Sequence, residues 1–106
     1  MSLPYCILLC SCPDQDSAET IAKCLVQLKL AACVNILPKM RSIYSWKGTI
    51  EQADEYLLLI KTRSERYKAI EDTITTLHPY ELPEVISVSL QNGLTEYLQW
   101  IDHSLE

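Results

Sequence analysis

Residues 33–62 have the pattern of two long β-strands joined by a tight turn. In the first arm apolar and polar side chains alternate, which is typical of a strand with one buried face. Lys47 and Gly48 mark the turn, and Pro38 predicts an exposed edge or a bulge. The second arm ends in residues 56–60, an apolar run that indicates a strand covered on both faces. The alternating apolar residues of the first arm are Val34, Ile36, Met40, Tyr44 and Trp46.

The length of this hairpin predicts an oligomer. Its first arm, residues 33–47, would extend about 50 Å at about 3.3 Å per residue. A compact domain of this size has a radius of gyration of roughly 13 Å, so the arms either bend sharply or project beyond their domain. A projecting apolar hairpin needs a cover, and another copy of the same chain supplies one.

The composition is that of one globular domain spanning residues 1–106. Apolar residues make up 48% of the chain and the formal net charge is −5, which excludes a disordered class. An acidic balance without a basic run argues against nucleic acid and anionic membranes as partners. The apolar run at residues 5–10 lacks the basic flank of an export signal, and no segment has transmembrane length. We therefore expect a cytoplasmic protein.

Five cysteines without a CxxC motif predict free thiols, because the count is odd and they lie in apolar segments. Cys10 and Cys12 form a CxC pair whose side chains share one strand face, an arrangement that permits metal binding. The alternative for Cys6, Cys12 and Cys24 is that they are small buried hydrophobic residues.

The order of the predicted elements defines the fold class. Apolar residues at helical spacing follow the first strand and the hairpin, and a last helix follows a strand near residues 85–90. His78 and Pro79 end the second helix, because a residue before proline avoids the α conformation. The order β-α-β-β-α-β plus a C-terminal helix predicts a ferredoxin-like split βαβ fold of the α+β class. The open face of its sheet is rich in apolar residues and requires a partner.

Several short motifs occur in a fixed order along the chain. They are residues 29–35 (KLAACVN), 45–48 (SWKG), Glu55, 61–62 (KT), 78–84 (HPYELPE) and 97–100 (YLQW). In these motifs the chain resembles, nearly from end to end, the CutA family of divalent-cation tolerance proteins. The resemblance implies a ferredoxin-like trimer whose long hairpins extend between subunits, with copper or another divalent metal ion as ligand. It also implies a similarity to the PII signalling proteins, which bind small ligands between subunits.

The resemblance further implies a metal site. The family pattern has a cysteine on the first strand and two histidines before Pro-Tyr; Cys10 and His78 match, and Leu77 replaces the first histidine. The remaining thiolate and imidazole suit Cu(I), and Cys12 or Cys33 would complete the site if the fold brings either close. The alternative for His78 is a helix C-cap whose ring satisfies terminal carbonyls.

A second group of residues, Trp46, Lys61, Tyr80 and Glu84, is a candidate inter-subunit cleft. Lys61 follows an apolar run and needs a counter-charge, for which Glu84 is the candidate. One reading is a structural ion pair between strands; the other is a polar cleft that binds an anion or a small metabolite. Trp46 either anchors the hairpin against a neighbouring subunit or packs within its own turn.

Motifs typical of an enzyme are lacking from the sequence. Cys10 or Cys33 with His78 would be a candidate nucleophile and base. Yet the chain has no nucleophile elbow, and its two glycines cannot form a phosphate-binding loop. We therefore expect no enzyme but a metal-binding trimer that buffers or senses copper. The alternative is a ligand-sensing or scaffolding trimer of the PII kind.

Overall fold

The structure is a computed structural model that describes residues 3–106; Met1 and Ser2 of the predicted domain lie outside the described residues. The order of elements predicted from the sequence is confirmed. No helix within residues 3–106 has the length and apolar character needed to cross a membrane. The elements are β1 (Tyr5–Cys12), α1 (Gln15–Gln27), β2 (Cys33–Trp46), β3 (Thr49–Arg63), a 3-10 turn (Ser64–Arg66), α2 (Tyr67–Leu77), β4 (Ile86–Ser89) and α3 (Thr95–Ser104).

The four strands form one sheet in the order β2-β3-β1-β4, and every neighbouring pair is antiparallel. In this order β1 and β2 run parallel with β3 between them, so α1 is the crossover of a split βαβ unit. The predicted ferredoxin-like α+β fold is confirmed.

One face of the sheet packs against α1 and α2 and forms the core. Even-numbered residues of β1 lie on this face; Leu8 and Cys10, for example, pair with Ile60 and Leu58 of β3. Side chains from both helices complete the cluster, and most of its members have no exposed surface. The buried members are Cys6, Leu8, Cys10, Cys12, Ala18, Ile21, Leu25, Ala31, Leu58, Ile60, Ile70 and Ile74.

The opposite face of the sheet is only partly covered by this chain. The residues Ile101 and Leu105 at the end of α3 pack against Tyr5 and Ala32. Beyond them the face stays open, so the apolar run at residues 56–60 is covered by its own chain on one side only. The apolar side chains of this open face are Ile7, Leu9, Leu57, Leu59, Ile86 and Val88, all half-buried or exposed.

The β2–β3 hairpin projects beyond the rest of the domain. Lys47 and Gly48 both have positive φ (51° and 82°), as the two central residues of a type I′ turn require. Residues 49–55 of β3 pair with β2 alone, because β1 begins to pair with β3 only at Tyr56. The molecule is accordingly elongated, measuring 45 × 29 × 23 Å.

The bulge predicted at Pro38 is present, and it changes which side chains share a face. Leu37 pairs with Leu57 and Met40 with Glu55, so two residues of β2 oppose one of β3. Lys39 within the bulge has a φ of 62°. Before the bulge Val34 and Ile36 face the helices, whereas Met40, Tyr44 and Trp46 beyond it share the open side with Glu55. The prediction that this arm has a single buried face is therefore wrong.

The buried face of α2 should carry much of the stability. We expect Ile74→Ala to lower the free energy of unfolding by about 2–5 kcal/mol, because the side chain is fully buried and leaves a cavity. Leu77→Ala removes a similar side chain from the same helix at a half-exposed position and should cost less than about 1 kcal/mol. Urea denaturation at one fixed protein concentration measures both. Equal losses would contradict this packing.

Candidate functional site

Two thiols lie at the end of β1 on the core side of the sheet. Cys10 and Cys12 alternate with Ser11 and pair with Leu58 and Tyr56, so both side chains lie beneath the helices. Neither thiol residue has exposed surface, and all five cysteines of the chain are free. The strand therefore holds two sulfur atoms side by side in an apolar environment.

His78 is held next to these thiols by backbone groups. Its amide donates to the carbonyl of Ile74 (2.8 Å), and His78 is the C-cap residue of α2. Its Nε2 lies 2.7 Å from the carbonyl oxygen of Ser11, and its Nδ1 accepts from the amide of Tyr80 at 3.0 Å. Since a carbonyl oxygen only accepts and an amide N–H only donates, these two contacts fit the tautomer that carries its proton on Nε2. The cap alternative expected this ring to satisfy the terminal carbonyls of α2. The ring bonds the Ser11 carbonyl of β1 instead, so that alternative is wrong.

Cys10, Cys12 and His78 together form a compact donor cluster. One donor atom from each lies within 4.8 Å of the other two, and all three residues are buried. These are soft donors that suit Cu(I) or Zn²⁺ rather than Mg²⁺ or Ca²⁺. Both ring nitrogens already have backbone partners, so Nδ1 must lose the Tyr80 amide before it can donate to a metal ion.

The two thiols of the cluster shift each other's pKa through the hydrogen bond between them. The bond to Cys12 raises the pKa of Cys10, and burial away from water raises it further. The same bond lowers the pKa of Cys12, because it stabilises the thiolate form of that sulfur. A thiolate therefore forms more readily on Cys12, and Cys10 retains its proton unless a cation compensates the charge.

Two residues considered for the metal site lie elsewhere. Cys33 is the first residue of β2 and pairs with Lys61, whereas Cys10 pairs with Leu58. Because β3 separates β2 from β1, Cys33 does not join the donor cluster. Leu77, at the family's other histidine position, is 39% exposed and contributes no donor.

A cavity of about 640 Å³ lies on the open side of the sheet, beside the projecting hairpin. It brings together three of the four residues expected at the cleft, Trp46, Tyr80 and Glu84. The ring of Tyr80 also contacts that of His78, with centroids 4.8 Å apart, so the cavity adjoins the donor cluster. Its remaining walls are Ser11, Ser42, Ile43, Tyr44, Glu55, Glu81 and Leu82.

Lys61 does not belong to this cavity. Its ammonium lies 5.8 Å from the ring centroid of Tyr97, and no ion pair within residues 3–106 joins it to Glu84. Lys61 pairs with Ile7, whereas the cavity-lining Ser11 pairs with Leu57, about 13 Å further along β3. Within residues 3–106 of one chain Lys61 and Glu84 are therefore not paired, and the cleft between subunits, which would bring in residues of another copy, stays a prediction.

Glu55 is a buried cavity residue to which sequence reasoning gave no site role. It is 6% exposed, and its Oε2 accepts a hydrogen bond from the Tyr80 hydroxyl at 2.7 Å. Burial and this hydrogen bond raise the pKa of Tyr80, so the phenol remains a donor. The available signal was a carboxylate directly before an apolar strand segment, but the β2 side chains that lie beside it depend on the bulge in β2.

These features define a ferredoxin-like α+β protein with a buried cysteine–histidine cluster next to an acidic, aromatic cavity. The sequence model of the CutA1 divalent ion tolerance protein family matches residues 6–104. The chain belongs to this family, as its motifs predicted. The family is not known as an enzyme family.

Relatives from several kingdoms resemble the chain closely. It is 41% identical to the divalent-cation tolerance protein CutA of Thermus thermophilus, covering 90% of this chain and 92% of that protein. It is 47% identical to the CutA homologue of Xenopus laevis, over 86% of this chain and 60% of that protein. It thus spans little more than half of some animal relatives. The crystal structure of CutA from Xylella fastidiosa superposes with a TM-score of 0.95 at 44% identity, over 98% of this chain and 100% of that one.

The prediction of a cytoplasmic location is wrong. The Archaeoglobus fulgidus relative of known structure, 39% identical over 96% of this chain, is described as a periplasmic divalent cation tolerance protein. The Arabidopsis thaliana relative, 35% identical over 97% of this chain, is described as chloroplastic. Members of this family are therefore described in more than one compartment.

Burial should make the two clustered thiols unreactive. We expect iodoacetamide at neutral pH to alkylate Cys10 and Cys12 about a hundredfold more slowly than the half-buried Cys24, because both must first become accessible. Peptide mass spectrometry against time measures each rate, and guanidinium chloride should bring the rates together. Native labelling of Cys10 or Cys12 as fast as Cys24 would instead indicate an activated, accessible thiol.

Proposed function

We propose that this chain is a copper-binding divalent-cation tolerance protein that holds Cu(I) through Cys10, Cys12 and His78. The observation that carries the proposal is the donor cluster itself, with two sulfurs and one imidazole nitrogen within 4.8 Å of one another. Divalent ions that accept soft ligands, zinc first among them, are the alternatives to Cu(I).

The donor set favours Cu(I) over zinc. Structural zinc sites are almost always four-coordinate, and within residues 3–106 this cluster offers three protein donors and no fourth one. Thiolates are soft ligands that select Cu(I). Leu77 stands where the family pattern has a histidine. In our proposal the sulfur of Cys12, the second sulfur of the cluster, takes the place of the missing imidazole.

Binding requires two local changes at the cluster. Cys10 must lose the proton that its hydrogen bond and burial retain, and the positive ion compensates that loss. His78 must also turn its Nδ1 lone pair away from the Tyr80 amide, while Nε2–H keeps the Ser11 carbonyl. A metal-bound histidine commonly donates its other ring N–H to a carbonyl in this way.

We further infer that the working protein is a homotrimer. The support is the open sheet face of Ile7, Leu9, Leu57, Leu59, Ile86 and Val88 together with the exposed hairpin. A face of this kind is unfavourable in water, and neighbouring copies would bury it.

A second candidate function is the sensing of a small ligand, as in a trimer of the PII kind. The observation that favours it is the cavity of about 640 Å³, a volume within the range of about 300–1,000 Å³ typical of ligand sites. Metal binding depends on Cys10, Cys12 and His78, whereas ligand binding would depend on Glu55, Trp46 and their neighbours.

A competition titration tests the copper proposal. The reduced protein is titrated with Cu(I) against a chromophoric chelator, with the variants Cys10→Ser, Cys12→Ser and His78→Ala beside it. Each substitution should weaken Cu(I) binding by more than about tenfold, because each removes one donor. Cys33→Ser is the matched control and should leave the affinity unchanged, since that thiol lies outside the cluster. An affinity that survives Cys10→Ser combined with His78→Ala would refute the site.

A further inference from the structure

The cavity on the open side of the sheet has a negative lining. Three carboxylates, those of Glu55, Glu81 and Glu84, line it, and no lysine, arginine or histidine does. Glu55 is buried, whereas Glu81 and Glu84 are exposed. Like charges that line one cavity repel one another unless a cation lies between them. The charge of the cavity is therefore the opposite of what an anion-binding cleft needs.

Glu55 is the carboxylate whose position most requires a cation. It is 6% exposed, and the Tyr80 hydroxyl is its hydrogen-bond donor. No ion pair within residues 3–106 includes Glu55; the nearby Arg41 pairs with Asp54 instead, at 3.4 Å. A buried carboxylate without a cationic partner is costly, and a bound cation removes most of that cost.

Three aromatic rings line the same cavity. Tyr44 and Trp46 come from β2 beyond the bulge, and Tyr80 comes from the segment after α2. The negative faces of such rings attract ammonium groups and also accept apolar groups. The ammonium of Lys47 lies 5.6 Å from the ring centroid of Trp46. Lys47 does not line the cavity, so the carboxylates of the cavity have no partner in it.

A metal ion does not fit this lining. Within residues 3–106 the group of three or more ligating side chains close enough to hold an ion is Cys10, Cys12 and His78, and the cavity carboxylates form no such group. Three separated carboxylates among aromatic rings are better matched by a larger cation whose charge and apolar surface are both used.

We propose that this cavity binds a small organic cation, a protonated amine with an apolar group. The ammonium lies against Glu55 and the face of Tyr80, and the apolar group packs against Tyr44, Trp46 and Leu82. The inference rests on the second candidate function, because it names the class of ligand for that site. It is independent of copper binding by the thiols.

Three compounds with the same ring and different charges test the class of ligand. Phenethylamine is a cation at pH 7, 2-phenylethanol is neutral and phenylacetate is an anion. Calorimetric titration of the assembled protein should give a dissociation constant for phenethylamine roughly tenfold below that of the alcohol, with no binding of the acid. Equal binding of all three would overturn the cation and keep a ligand cavity, whereas no binding of any at millimolar concentration would overturn both.

Matched variants locate the binding. Glu55→Gln should remove the preference for the amine, because it deletes the buried charge and keeps the shape. Glu96→Gln changes the net charge equally on exposed α3, outside the cavity, and should keep the preference. If Glu55→Gln fails to fold by circular dichroism, Trp46→Leu replaces it and should weaken amine binding by roughly tenfold. A preference that persists in the folded Glu55→Gln, or an unchanged affinity in Trp46→Leu, would overturn the proposal.

A neighbouring copy is the competing source of a cation, and Lys61 tests it. Lys61 lies outside the cavity of its own chain, and Lys61→Met should leave the affinity for phenethylamine unchanged. Amine binding that occurs only in Lys61→Met would mean that a lysine of another copy fills the cavity, and the proposal would be wrong.

Discussion

A four-stranded sheet has two faces, and this chain has helices enough to bury one of them. The helices α1 and α2 cover the face of Leu8 and Ile60, while α3 covers only part of the other beside Tyr5. At the edge of the open face, Ile86 and Val88 are each 53% exposed. Burial of apolar area is worth about 25 cal/mol per Å², so an uncovered sheet face favours association. The exposed hairpin favours association for the same reason.

The bulge at Lys39 connects this fold to its candidate sites. Without the extra residue, Tyr44 and Trp46 would share the helix side with Val34; with it, they share the open side with Glu55. The donor cluster lies on the helix side, and the cavity lies on the open side. The segment from His78 to Tyr80 contacts both the donor cluster and the cavity. The amide of Tyr80 donates to the imidazole of His78, and the phenol of Tyr80 donates to Glu55. One short segment thus adjoins a soft-donor cluster and an acidic, aromatic cavity.

Much of the fold was predictable because it follows from local rules. The turn at Lys47, the bulge near Pro38 and the end of α2 at His78 each depend on the conformational limits of one or two residues. The period of apolar residues then gave the order of elements, and the motifs gave the family.

Register and three-dimensional proximity were harder to predict. Lys61 needs a counter-charge, for which Glu84 is the candidate, yet within one chain Lys61 lies away from the cavity that Glu84 lines. The number of residues in the bulge decides which face the β2 residues beyond Pro38 occupy. The β2 side chains that lie beside Glu55 on β3, and with them its burial, could therefore not be inferred. The two thiols of β1 could be predicted to share a face from their spacing, but the backbone partners of the His78 ring required the packed structure.

We infer that this chain buries its open sheet face and hairpin against other copies of itself. Sedimentation equilibrium of the dilute, metal-free protein tests it most directly, because the measured mass does not depend on molecular shape. We expect the mass of three chains over the whole concentration range. A stable monomer at micromolar concentration, with the chain fully folded, would contradict it.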